Sequence, residues 1–325
     1  MKKQAYLFTI LTLLIAILFI VSITSGGFDI PLRQFFEILL HPEQHPIESQ
    51  IIFELRLPRV LSAFIVGAML ALAGAVMQTL LTNPLADPYI LGISGGSATG
   101  ALLTILFGLS GIWLTIGAFA GAILTIFIVF GLTFGVRDHS NNRLLLTGVV
   151  ISAGWGAMIS LILSIAPNTD LRGMLFWLMG DLSGAKDFTT GGGVLLLGAV
   201  LLIPMARSLN LLTRGDLSAK ALGVETGPLR LQLYFITSLL TATAVTIGGS
   251  IGFIGLITPH ILRLVIGSDH RLLLPASILL GGAILVLADT VARTVIAPQQ
   301  LPVGVITALI GVPLFLYLLR REGKQ

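Results

Sequence analysis

Nine apolar runs of roughly 20 residues, almost free of charge, divide this chain into pieces of lipid length. They fall at about 4–24, 60–82, 89–110, 112–135, 144–166, 190–206, 231–248, 272–292 and 301–319. A helix rising about 1.5 Å per residue needs about 20 such residues to cross a hydrocarbon core. In lipid every backbone N–H and C=O must be satisfied within the segment, so these runs close into α-helices. A tenth, shorter run at about 250–262 is interrupted by glycines and Pro259, which predicts a short or broken helix. The expected fold is all-α: a polytopic membrane protein with about ten transmembrane helices, forming one domain over residues 1–325.

Composition excludes a soluble alternative. Only 10% of residues are charged and 55% are hydrophobic, with a mean hydropathy of +0.99. A soluble domain carries roughly 25% charged residues. The first run follows Lys2 and Lys3 like a signal peptide, but Ser25-Gly26-Gly27 is a poor cleavage site, so it reads as a retained first span. Orientation follows from basic residues. With both termini cytoplasmic, thirteen lysines and arginines fall inside, Arg143, Arg207, Arg214, Lys220 and Arg230 among them. Six fall outside: Arg33, Arg56, Arg59, Arg172, Lys186 and Arg293. That bias is the positive-inside pattern. It also accounts for the net charge of +4 without a nucleic-acid partner.

Several chemistries are absent. There is no cysteine, so disulfides, thiolate metal sites and cysteine nucleophiles are excluded. The five histidines form no HxxH pair, and no metal site is expected. No GxxxxGK[ST] loop occurs, so the chain has no P-loop ATPase of its own. Gly92-Ile93-Ser94-Gly95-Gly96 fits the serine motif of intramembrane proteases, with His260 as a conceivable base. The same glycines suit close helix packing, which needs no chemistry. Carboxylates inside the spans are scarce, which argues against an ion-coupled secondary transporter. Asp289 stands four residues before Arg293, a spacing that places both on one helical face where they can pair.

Three polar stretches separate the spans: 25–59 and 167–189 outside, and 207–230 inside. The inside stretch reads as short helical structure, with Asp216 or Ser218 starting a helix and Gly223 ending it. Leu217, Ala221 and Leu222 would share one face, and such a face is buried either on its own bundle or by a partner. Asn83-Pro84-Leu85-Ala86-Asp87-Pro88 breaks the chain after the second span, as a simple turn or as a constriction on a transport path. Gly74 to Leu85 and Gly249 to His260 each carry a proline ten residues after a glycine, the outline of an internal repeat.

Ordered motifs then give a resemblance over about residues 50–320. They are Arg56-Leu57-Pro58-Arg59, Gly74-Ala75-Val76-Met77-Gln78, Asn83 to Pro88, Trp177-Leu178-Met179-Gly180, Gly252 to Arg263, Asp269 to Pro275, Ala288 to Arg293 and Leu301 to Gly304. The chain resembles the permease subunits of bacterial ABC importers for iron-siderophores, haem and cobalamin. The resemblance implies a multi-pass protein of the bacterial inner membrane, not an enzyme, working as a homodimer. Two cytoplasmic ATPase subunits would bind inside, and a periplasmic or lipid-anchored substrate-binding protein outside. The permease would need no cofactor, since ATP and magnesium belong to the ATPases.

Arg56, Arg59 and Arg293 match family positions that contact acidic residues of the binding protein; the alternative for them is pairing with Glu54 or Asp289. Arg214, Gly215, Asp216, Leu217, Ala221, Leu222 and Gly223 match the segment that couples to the ATPases. Asn83 and Leu85 match the cytoplasmic gate, and Asn141 and Asn142 stand where the cobalamin permease has small hydroxyl residues. Gln299 and Gln300 occupy a spot where the family usually shows a glutamate that contacts the binding protein. Cobalamin or a ferric siderophore is favoured over haem, because no histidine or tyrosine cluster lines an outer loop.

Overall fold

The computed structural model describes residues 2–133, 141–185 and 188–322, whose regular structure is helical, with no strand among them. α1 (Lys2–Thr24) leads into a polar stretch holding α2 (Leu32–Leu40) and α3 (Pro46–Gln50). A π-helical stretch, Ile51–Arg56, runs directly into α4 (Leu57–Leu80). The outer polar stretch therefore ends earlier than expected: Pro46–Leu80 is one apolar helical run of 35 residues. α5 (Ile93–Leu106), α6 (Ile112–Thr133), α7 (Asn141–Ile165), α8 (Asn168–Leu178) and α9 (Phe188–Leu202) follow. The chain continues through α10 (Ala206–Leu212), α11 (Asp216–Ala221), α12 (Thr226–Gly248), α13 (Ile254–Ile266), α14 (His270–Thr294) and α15 (Val303–Glu322).

Six of these runs are long and apolar enough to span a bilayer, and a seventh forms if the bent pair α9–α10 counts as one. The bend of 63° falls at Pro204, which has no N–H to offer a continuous helix. Three shorter apolar helices remain: Ile93–Leu106, Ile254–Ile266 and the Val303–Leu318 part of α15. α5 is shorter than its apolar run because its start is displaced. Asp87 accepts the Tyr89 N–H, a 3₁₀ turn spans Pro88–Leu91, and Gly92 takes φ +77° before the helix begins. The short run around Pro259 forms a helix with the proline inside it. Pro84, by contrast, lies in the turn after α4. The two halves of the suspected repeat therefore have different local structures.

α4 is the axis of the molecule. It packs against α14, α12, α13 and α9, and most of its length is buried. Glycine makes this approach possible. A Cβ on Gly74 would stand 1.8 Å from the Gly255 carbonyl, and one on Gly67 2.3 Å from the Gly281 carbonyl. α5 and α6 meet in the same way through Gly96, Gly100, Gly117 and Gly121. Lipid supplies no hydrophobic drive between helices, so close backbone contact does that work. α1 and α7 are the opposite case. They leave most of their apolar surface open, a pattern suited to lipid or another membrane chain.

Candidate functional site

Two polar clusters occupy opposite ends of the α4–α14 pair, which runs antiparallel. About 35 Å of helix separates them, at about 1.5 Å per residue.

At the first end, Arg59 near the start of α4 meets Asp289 near the end of α14. Arg59 Nη2 lies 2.8 Å from Asp289 Oδ1 and its Nε is 3.1 Å from both carboxylate oxygens. Arg293 Nε stands 3.1 Å from Asp289 Oδ2, as the four-residue spacing predicted. Arg59 Nη1 also donates to Gln300 Oε1 at 2.8 Å, and Arg293 Nη2 donates to the Ser22 hydroxyl at 2.7 Å and the Ser22 carbonyl at 3.0 Å. Arg56 donates to the carbonyls of Ile23, Thr24 and Phe28. All three arginines are at least nine-tenths buried. They stand together beside a concavity of about 290 Å³, which Gly26, Gly27, Ser183 and Gln300 also line. Of the two alternative partners, Asp289 is the one that pairs, with Arg59 and Arg293; Glu54 accepts from Gln50. Sequence position beside a polar stretch made these side chains look free. Helical continuation through residues 46–80 draws Arg56 and Arg59 inside.

At the opposite end lies the segment from α10 to α11. It is not one helix: Gly215, at φ +98°, separates the two. Gly215 rather than Ser218 precedes the second helix, and Gly223, at φ +83°, follows it. Leu217 is 84% exposed and Leu222 61%, while Ala219 faces inward and is buried. Ala221 and Arg214 are exposed. Asp216 turns back towards the bundle. Its Oδ1 accepts from Arg230 Nε at 3.2 Å and Nη2 at 3.1 Å, and Thr226 donates to its Oδ2 at 3.3 Å. Partial burial works against the Asp216 charge, but Arg230, Lys220 and Thr226 outweigh it and hold the carboxyl below its usual range.

The chain between α4 and α5 closes near the same end. Thr82 adopts φ +48°, unusual for a β-branched residue. The Asn83 side chain accepts the Leu85 N–H at 2.9 Å, an Asx turn that fixes the break. Leu85 projects with 44% exposure. Burial pushes the Asp87 carboxyl up to about 6, with the Tyr89 N–H drawing it back. Asn141 and Asn142 open α7, and their side chains lie outside the described residues.

Sequence reasoning missed the contacts that tie these parts together. Asn210, His270 and Thr79 form one chain of hydrogen bonds, and Arg230 Nη1 reaches the Leu80 carbonyl at 3.0 Å. Gln78, part of a motif, is held from α13 by the Leu256 carbonyl at 3.0 Å and by Arg263. The serine of the GxSG match hydrogen-bonds to the Ser250 hydroxyl at 2.9 Å. Its glycines serve packing: a Cβ on Gly96 would stand 1.9 Å from Thr125 Oγ1. Among the described residues no cluster of metal-ligating side chains occurs.

A bundle of long apolar helices, with charged clusters at its two ends, has the architecture of a multi-pass membrane protein, and the family match makes it a permease of the ABC importer class. The chain belongs to the FecCD transport family, whose model matches residues 13–321. It is 43% identical to the cobalamin import system permease of Halobacterium salinarum, over 85% of this chain and 75% of that one. It is 38% identical to the molybdate import system permease of Haemophilus influenzae, over 97% and 96%. A solved structure of a metal-chelate type ABC transporter in an inward-facing conformation shares 36% identity and a TM-score of 0.87, covering 98% of this chain and 99% of that one. Permeases of this family are inner-membrane proteins that work with ATPase and substrate-binding partners, and they are not themselves enzymes.

Proposed function

We propose that this subunit is a passive gate, paired with a second copy, through which a metal chelate enters the cell under the drive of two ATPases. Six long spans, the bent pair and three short apolar helices would supply ten crossings, with both termini cytoplasmic. The observation that carries the reading is the outward-facing pair Leu217 and Leu222. Leu217 stands on, and Leu222 directly after, a short helix outside the spans, anchored through Asp216 to Arg230. Exposed apolar side chains on a polar, tethered helix fit a partner protein, here the ATPase. Arg214, Gly215, Ala221 and Gly223 frame that contact. Asn83 and Leu85 would form the cytoplasmic gate, with Asn141 and Asn142 beside them.

The binding protein would dock at the other end, over the concavity beside Arg56, Arg59 and Arg293. Asp289 faces two of the three guanidinium groups and Asp29 acts on the third, Arg56, so three cations stand against two carboxylates and the cluster keeps a positive charge for an acidic side chain. The buried carboxylate held between two arginines is also the reason an ion-coupled carrier is not favoured.

Cobalamin or a ferric siderophore is the substrate class proposed, with haem behind them. Relatives named for cobalamin and for molybdate are nearly equally similar, so identity alone does not sort the cargo. The test is uptake into proteoliposomes holding this chain, its ATPase and its binding protein. Labelled cobalamin or ferric hydroxamate should accumulate only with ATP, and hemin and molybdate should compete poorly. Uphill uptake by the chain alone under an ion gradient would overturn the reading.

A further inference from the structure

The last turn of α4 receives polar contacts from both helices of the exposed segment, at adjacent residues. The first route starts on α10. Asn210 Nδ2 donates to Asp269 Oδ1 at 2.7 Å, and its Oδ1 accepts the His270 N–H at 2.9 Å. The same oxygen lies 2.7 Å from His270 Nδ1, and His270 Nε2 lies 2.7 Å from Thr79 Oγ1. An amide oxygen only accepts, so Nδ1 carries a proton and Nε2 of the neutral ring is an acceptor facing the Thr79 hydroxyl, whose one proton is shared with the Ala75 carbonyl at 3.1 Å. His270 is completely buried and Thr79 nearly so.

The second route starts on α11. Asp216 grips Arg230 through two nitrogens, and the third nitrogen, Nη1, donates to the Leu80 carbonyl at 3.0 Å. That carbonyl belongs to the final residue of the helix, where no intrahelical partner exists. The planar fork suits this double hold, with Nε and Nη2 on the carboxylate and Nη1 on the carbonyl. Beyond Leu80 come Thr82, at positive φ, and the Asn83 turn that presents Leu85.

We propose that Asn210–His270–Thr79 and Asp216–Arg230–Leu80 are two polar struts that carry displacement of the α10–α11 segment to the end of α4. Arg230, Asn210 and His270 are positioning residues in this proposal: they act by fixing where the Leu85 turn sits. Two struts from two helices to neighbouring residues resist rotation as well as translation, which one contact would not. The inference rests on the reading that the segment docks an ATPase and that the Asn83–Leu85 turn is a gate.

The chain lacks cysteine, so Leu85→Cys places one reporter at the turn. In the complex with its ATPase in nanodiscs, maleimide labelling is followed with and without ATP. In the parent, ATP should change the labelling rate by about tenfold, a typical coupling between sites. With Arg230→Gln or Asn210→Ala the complex should still assemble, and the response should fall below about threefold on the same scale. Arg230→Lys, the milder variant, keeps the charge but cannot span both acceptors, and should lose the response as well. A full response in both Arg230→Lys and Asn210→Ala overturns the struts. A parent with no ATP response overturns the importer reading beneath them.

Discussion

Arg59 and Asp289 lie 230 residues apart in the chain and share a two-point contact in which the carboxylate is 1% exposed. Asp289 also neutralises Arg293, so this one carboxylate serves two buried guanidinium groups. Removing it leaves two cations unpaired in a medium that does not solvate them. Asp289→Asn should therefore destabilise the protein by about 3–5 kcal/mol, read as a large drop in the detergent melting temperature. Gln300→Ala removes only one neutral acceptor from Arg59 and should cost about 1 kcal/mol. Equal losses in the two variants would contradict this ranking.

The Asp289–Arg293 half of that cluster was legible, because four residues on a helix put two side chains on one face. The Arg59 half stood only as one of two alternatives, since no local periodicity chooses a partner 230 residues away over Glu54. The same distinction runs through the molecule. Helical spans followed from apolar run length. The shortening of α5 did not, because it depends on the Asp87 turn and on Gly92 at φ +77°. Burial of Arg56 was hidden for a related reason: the π-helical stretch turns an apparent loop into the start of α4. Leu217 and Leu222 were readable as a face, and the structure leaves that face open.

Glycine at the α4 contacts gives a second prediction. Gly74→Ala puts a methyl group 1.8 Å from a backbone carbonyl, and neither helix can yield locally. The cost should exceed the usual overpacking penalty of about 1–3 kcal/mol, with loss of folded protein in detergent. Gly131→Ala on α6 meets nothing within 4 Å and should not lower the melting temperature, since alanine favours the helix over glycine.

The titratable groups outside the spans pull in opposite directions with pH. Asp216 is held low by its cations, overcoming burial, and Asp269 is held low first by the Asn210 amide. A carboxyl depressed in the folded state contributes stability above its unfolded value of about 3.9, and loses it as pH falls through the lower folded value. Asp87 is raised to about 6 by burial. Between its ordinary value of 3.8 and 6, the unfolded chain loses this proton first, so stability falls as pH rises. Asp87→Asn should thus raise the melting temperature at pH 7 and make no difference at about pH 3.5, below both values. Melting curves over that range check the sign: a variant equally stabilised at both pH values would contradict it.

Leu217 offers the cleanest separation of folding from assembly. With 84% of the side chain in solvent, Leu217→Glu removes no internal contact and should leave the melting temperature of the isolated subunit unchanged. If the side chain enters an apolar pocket on the ATPase, a buried charge there would cost more than about 2 kcal/mol, the scale of an interface hot spot. Co-purification of the ATPase should then fall by at least about tenfold, since 1.4 kcal/mol is one decade in affinity. Ala221→Glu, on the same exposed surface, should weaken assembly in the same direction. Thr213→Glu, an exposed position whose hydroxyl only bonds back to the Asn210 carbonyl, should not. Undiminished recovery of the ATPase with Leu217→Glu would show that the open leucine face is not where the motor grips.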